Sequence, residues 1–304
     1  MRDAISVALG DARSRGAGVS LSAARGAAPV QNPHQDEGSD NDADVAAAPA
    51  EIRHLAARGI HVIVGPLRSN VARAEAGALA AENSVALSGT AREPSDTGTR
   101  VFKLAPSDGQ LAASAYAWMR RRWGPRACVI DDGTSKARAE GAAFLAVDSS
   151  AKHATLGRRA VDDCVEHADA VYATALEADP IFCSARTARR AGPGTLVGAM
   201  GLRSFDPTAF SKAGRLWRAE PAAIVRTAAI RALARRYHAR AFVAATDAAL
   251  RFYAATQIAV DVARVGGNPA AFLRRDRFVT VIGTIRFNSR GEVRDPPIVV
   301  RSVD

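Results

Sequence analysis

The chain has 304 residues, 48% hydrophobic and 24% charged, with a formal net charge of +10. That length accommodates two domains of ordinary size, and the balance is that of a globular chain rather than a disordered or fibrous one. No apolar run approaches the ~18 residues of a membrane span, and the opening stretch MRDAISVALGDARSRG lacks the apolar core of a secretory signal.

In chain order, Ile5, Ala8, Leu9 and Ala12 share one face of a helix over residues 2–15, which Gly16 stops. Val19 to Ala23 alternate as a strand, and residues 26–44 read as a polar, Asp-rich loop. Asp40, Asp42, Asp44 and Glu51 echo a calcium loop, but Val45 stands where that loop needs glycine, so no metal is expected. A helix over 45–57 precedes the most informative stretch, Gly59 to Ala91. There a β-branched run, Ile60 to Val64, breaks at Gly65-Pro66. Ser69 and Asn70 follow as N-cap residues of a helix carrying Val71, Ala74, Ala78 and Leu79, and Val85 to Leu87 form a second strand. Strand, turn, helix, strand is a βαβ unit, whose right-handed crossover makes the strands parallel. The N-terminus of its helix is an anion site for a carboxylate as much as for a phosphate.

The same rhythm continues: strand 101–104, helix 109–122, strand 127–130, helix 137–146, a poorly patterned stretch 148–157, helix 158–167, strand 170–173, helix 179–190 and strand 195–199. Such alternation implies doubly wound parallel sheets, divided into two near residue 108. Residues 222–237 and 241–265 read as two long helices, and the chain closes with a hairpin-like pair of strands ending at Val303.

The positive charge is almost all arginine, since Lys103, Lys136, Lys152 and Lys212 are the only lysines. No aromatic residues interleave with the arginines, so solvated basic faces are expected and a nucleic-acid partner is not. Cys128, Cys164 and Cys183 are widely spaced and odd in number; they read as small core residues, not as a disulfide framework or zinc site. The six histidines are scattered, with no Ser-His-Asp order and no metalloprotease spacing, so neither catalytic residues nor a cofactor is expected.

Five stretches in order, VIVGPLRSNVARAEAGALAAENSVALSGTA, VFKLAPSDGQLAASAYAWM, VIDDGTSKARAEGAAF, DAVYATA and GTIRFNSRGEVRDPP, resemble the leucine/isoleucine/valine-binding proteins. These are the type I periplasmic receptors of ABC transporters. The resemblance implies an α/β chain of two doubly wound Rossmann-like lobes joined by a three-strand hinge. It places residues 1–107 with 223–275 in one lobe and 108–222 with 276–304 in the other. The crossings would fall near 105–110, 215–222 and 275–285. It also implies a small ligand (an amino acid, amide or carboxylate) held between the lobes, membrane subunits of a transporter as partners, and a periplasmic location. With the start as written, and no signal segment, the location would be cytoplasmic.

By the same resemblance the ligand-binding positions are Ser69, Asn70, Thr90, Ala91 and Arg92 in the first lobe, and Ser135 and Met200 in the second. Arg92 replaces a usual threonine, and its fixed charge would repel an ammonium while clamping an acid or amide. Met200 stands where an acidic residue would pair the ammonium, and Ser135-Lys136-Ala137 replaces a Tyr-Gly pair. The family's first strand would precede Met1. Two readings follow: a solute-binding receptor, or a cytoplasmic ligand-sensing regulatory module or degenerate paralogue with the same fold.

Overall fold

A three-residue strand cannot stand alone, and what supports the short apolar strands Val85–Ser88, Val101–Lys103 and Ala170–Ala173 is burial on both faces. In the computed structural model, which describes residues 1–16, 42–92, 100–155, 158–174, 196–198 and 216–303, the chain divides into two units. One comprises Met1–Ala105 and Ala223–Pro296, the other Pro106–Ala222 and Pro297–Asp304. The strand expected at 19–23 and the helix expected at 179–190 lie outside the described residues, as do Asp40 and most of the Asp-rich stretch. Asp42 and Asp44 sit on a helix.

In the first unit, β1 (Val62–Val64), β2 (Val85–Ser88) and β3 (Val101–Lys103) form a parallel sheet in that order. Its register pairs Ala86 with Val101 and Leu87 with Phe102. Because side chains alternate along a strand, Val85, Leu87 and Phe102 face α8 (Asp247–Val265) through Ala254, Ala255, Ile258 and Val262. Ala86 and Val101 face the other way, toward α2 (Asp42–Ala57) and α3 (Ser69–Ala81), packing with Ile52, Ala72 and Leu79. α1 (Arg2–Ser14) lays Ile5, Leu9 and Ala12 against Val260, and Ala8 against Ile230, Leu233 and Tyr253. Asp11 ties that contact by accepting from the Tyr253 hydroxyl and from Arg236, the latter at 2.9 Å.

Two helix boundaries in this unit differ from expectation. The long helices are α7 (Ala228–Ala241) and α8, starting six residues later than predicted at each N-terminus, because Thr227 and Thr246 cap them by accepting from the N–H three residues on. A short α9 (Pro269–Arg275), capped by Asn268, follows unpredicted. The antiparallel pair β9 (Phe278–Thr280) and β10 (Gly283–Ile285) comes next. Residues 276–296 were expected with the second lobe, yet they pack in the first unit. Phe278, Ile285, Phe287 and Val293 join its core, with the Phe102 and Phe287 rings edge-to-face at 5.1 Å. Each such fully buried side chain contributes roughly 1.5–3 kcal/mol, enough to fix where the segment lies.

In the second unit α4 (Asp108–Arg122) begins with a reciprocal capping box between Ser107 and Gln110. The sheet has the order β11-β8-β7-β6-β4-β5, from β4 (Ala127–Asp131), β5 (Lys152–Thr155), β6 (Ala170–Ala173), β7 (Leu196–Gly198), β8 (Leu216–Pro221) and β11 (Ile298–Val303). All neighbours are parallel except β11, which runs antiparallel to β8. Read from β5, this is the doubly wound order 2-1-3-4-5 with an added antiparallel edge. α5 (Ser135–Leu145) covers one face, where Gly141 lets the helix close onto Val129; a Cβ there would lie 3.4 Å from its methyl. α6 (Arg158–Glu166) covers the other through Val161, Cys164 and Val165.

The cysteine expectation is overturned here. Cys128 on β4 and Cys164 on α6 form a disulfide, with Cα atoms 5.7 Å apart and a sequence separation of 36. The two are remote in sequence, and only the βα packing of the sheet brings them together. β5 is the second surprise, since only Ala154 of its four residues is buried, leaving almost no hydrophobic alternation in the sequence to betray it.

Candidate functional site

In parallel α/β sheets the loops at the carboxyl ends of the strands are the available binding edge. In the first unit that edge is made by the loops after β1 and β2, and hydroxyl groups stitch the two together. Ser88, the last residue of β2, is fully buried. Its Oγ donates to the Pro66 carbonyl at 2.6 Å and accepts from the N–H of Ala91 and Thr90 at 2.9 and 3.3 Å. The Thr90 hydroxyl donates to the Leu67 carbonyl at 2.5 Å, and the Arg92 N–H donates to Ser69 Oγ at 3.0 Å. Gly89 is required beneath this frame, because a Cβ there would meet the Phe252 ring of α8 at 2.9 Å.

The structure thus brings Ser69, Asn70, Thr90, Ala91 and Arg92 into one pair of adjoining loops, but changes some of their roles. Ser69 is the first helical residue and not the N-cap. Arg68 holds the cap position in an extended conformation without a side-chain cap, since a guanidinium has no acceptor to offer, and the Ser69 hydroxyl accepts from the neighbouring loop. Asn70 turns its Oδ1 onto the Val71 N–H. Ala91 is buried, so it can offer only backbone to a ligand, while Arg92 is half-buried. Ser88 was missed from sequence; a serine followed by Gly-Thr at a strand end is the turn signature that marks it. Leu67, 44% exposed, is an apolar residue on the same rim. The segments 65–71 and 88–92 contain the arginines Arg68 and Arg92 and no acidic residue, so their local field favours an anion.

In the second unit the strand order reverses between β4 and β6, and the switch point lies at their carboxyl ends. Asp131 ends β4 with its carboxylate fully buried. Oδ1 accepts from the Gly133 N–H at 2.7 Å, and Oδ2 accepts from His153 Nε2 on β5 at 2.5 Å. Asp132 in turn accepts from both the N–H and the hydroxyl of Thr134, which caps α5. Thr174, buried at the end of β6, donates its N–H to the Ile130 carbonyl at 2.9 Å. The predicted Ser135 is the exposed first residue of α5 beside this loop. Met200 lies outside the described residues. Asp131 and His153 are additions to the predicted set. They sit 22 residues apart, and only the β4–β5 pairing reveals them. Among the described residues no cluster of His, Cys, Asp or Glu is arranged to hold a metal ion, and no helix is long and apolar enough to cross a membrane.

No protein-family model and no curated protein sequence matches the chain. Solved structures do. An ABC transporter substrate-binding protein from Desulfitobacterium hafniense superposes with a TM-score of 0.70 at 15% identity, covering 100% of this chain and 93% of its own. A leucine-binding protein from Thermotoga maritima gives 0.62 at 16% identity over 99% and 90%. A solute-binding protein from R. palustris, solved in complex with benzoate, gives 0.60 at 16% over 99% and 88%. All three are binding proteins, the first and third of them those of ABC transporters. Over its full length, this chain has the α/β fold of the type I periplasmic solute-binding proteins of ABC transporters.

Proposed function

We propose that the chain is the substrate-binding component of an ABC transporter of the branched-chain amino acid type. In this reading it takes a small carboxylate, amide or amino acid and hands it to membrane subunits. The single observation that carries the reading is the full-length structural likeness to such proteins, with Leu bound to one relative and benzoate to another. The adjoining loops of the first unit support it, since their helix N-terminus and two arginines suit a carboxylate. The ligand positions are Ser69, Asn70, Thr90, Ala91 and Arg92, with Ser135 and Met200 from the second lobe. Arg92, and Met200 in place of an acid, favour an acid or amide over an α-amino acid, whose ammonium would lack its charge-assisted partner.

The Cys128–Cys164 disulfide favours an oxidising compartment, hence the exported receptor over the cytoplasmic sensor. The test is titration calorimetry and thermal shift with leucine, isoleucine, leucinamide, benzoate and short aliphatic acids. At least one carboxylate should bind and raise the melting temperature. Arg92→Ala should weaken that binding by roughly 10- to 100-fold, the loss of one charged hydrogen-bond partner. Absence of any shift across the panel refutes the reading.

A further inference from the structure

The first unit carries a basic ridge that neither its core nor the proposed ligand site uses. Residues 222–245 contain five arginines and no acidic residue. Three of those arginines are tied locally: Arg226 to Asp247 at 2.8 Å, Arg236 to Asp11, and Arg240 to Asp3 at 3.7 Å. Arg231 and Arg235 have no carboxylate partner among the described residues. Both are exposed, one helical turn apart, and exposed His238 continues the same stripe of α7. The opposite stripe, Ile230, Leu233 and Tyr237, is buried, so the orientation of the basic stripe is fixed by the core.

The ridge ends on apolar residues. Phe242, the C-cap of α7, adopts the left-handed region (φ 58, ψ 14), where glycine is the usual occupant, and is 83% exposed; Val243 beside it is 56% exposed. Val225, at the other end, is 77% exposed. From Arg231 to Phe242 the stripe runs about 16 Å at the helical rise. Arg231 donates to the Arg226 carbonyl at 2.5 Å, so what it and Arg235 lack among the described residues is a carboxylate partner. Such cations in line, with an aromatic and an aliphatic side chain held out at the end, match the interfacial zone of an anionic bilayer. There cations meet headgroup phosphates and apolar tips enter the acyl boundary. A nucleic acid would use the arginines but has no use for Val225 and Val243.

We propose that the exposed stripe of α7, with Phe242 and Val243 at its tip, docks the protein on the surface of anionic phospholipid membranes, whatever ligand it carries. The experiment is co-sedimentation of the full chain with phosphatidylcholine vesicles, with and without phosphatidylglycerol, at low and high salt. Binding is expected only to the anionic vesicles and only at low salt. Arg231→Ala with Arg235→Ala should weaken it about 30-fold, at roughly 1 kcal/mol per basic residue near such a surface. The same double change at exposed Arg120 and Arg121, on α4, should alter it by less than about threefold, since those residues lie outside the docking stripe. Phe242→Gly should melt no lower than the parent, because glycine accepts that conformation, yet bind about tenfold more weakly. No binding to anionic vesicles overturns the proposal. So does an equal loss from the Arg120 and Arg121 change, or Arg231- and Arg235-dependent binding to a DNA duplex without binding to vesicles.

Discussion

Glu75 places a carboxyl group where the core of the first unit should be apolar. It lies on the inward stripe of α3 with Ala72, Ala76 and Leu79, is 5% exposed, and one of its oxygens has no hydrogen-bond partner among the described residues. Burial pushes its pKa from 4.5 up to about 8. The folded protein therefore keeps this proton until about pH 8, whereas the unfolded chain releases it near 4.5. Between those values the unfolded state binds fewer protons, so stability falls as pH rises, by about 1.4 kcal/mol per unit. Over the 3.5 units between 4.5 and about 8, that amounts to about 5 kcal/mol, a third or more of a typical domain's stability. Glu75→Gln keeps the shape of the neutral acid and removes the titration. Its amide introduces a pH-independent offset of about 1–3 kcal/mol if its donors go unmatched, so the diagnostic quantity is the slope. Urea denaturation of both proteins from about pH 5 to about pH 8 should show the variant gaining on the parent by about 4 kcal/mol across that window. A difference that stays constant with pH would mean the carboxyl is solvated or paired in solution, and the reasoning fails.

Replacing both Cys128 and Cys164 by serine should lower the stability of the second unit by about 4 kcal/mol, the loop-closure effect for a separation of 36. All three tryptophans, Trp118, Trp123 and Trp217, lie in that unit, two pairs in ring contact at 4.9 and 4.7 Å, so tryptophan fluorescence during denaturation reads the loss directly. His153→Ala strips the buried Asp131 carboxylate of one of its two partners and should cost about 1–3 kcal/mol in the same assay; an unchanged midpoint would show that water replaces the imidazole. Gly89→Ala drives a methyl into the Phe252 ring and should destabilise the first unit by about 1–3 kcal/mol. It should also weaken carboxylate binding by displacing the loop 88–92, measured by calorimetry on the variant.

Most elements were legible because their hydrophobic period was strong. Val85 to Leu87 and Ala170 to Ala173 are buried on both faces and read as short apolar runs; α1 reads by its 3.6-residue stripe. The failures have particular causes. β5, with one buried residue in four, has nothing for a period to act on. In the alanine-rich stretch 222–265 nearly every residue suits a helix, so the breaks at Thr227 and Thr246 depended on caps and not on composition. The placement of residues 276–296 depended on which core Phe287 entered, a choice made by Phe102 and unseen in either segment alone. In the candidate site the turn residues Ser69, Thr90 and Arg92 were visible. Ser88 was hidden because its bonds all go to backbone, and Asp131 with His153 because only sheet pairing unites them.

That contrast bears on how such a site can change its ligand. In the first unit the frame is set by hydroxyls directed at backbone: Ser88 on Pro66, Thr90 and Ala91, Thr90 on Leu67, and Ser69 on Arg92. None of these bonds uses the side chain at position 92, because what Arg92 contributes to them is its N–H. A different side chain at position 92 can therefore leave these bonds in place. In these bonds frame and charge are separable. The charge bears on the ligand, since an arginine on the rim adds attraction for an acid and repulsion for an ammonium. Introducing a neutral hydroxyl with Arg92→Thr should then leave the melting temperature of the free protein nearly unchanged. It should also shift the ratio of affinities toward leucine and away from benzoate by about tenfold or more, the worth of one charged contact. A matching loss of stability would show that the guanidinium holds the loop itself, and frame and charge would not be separable.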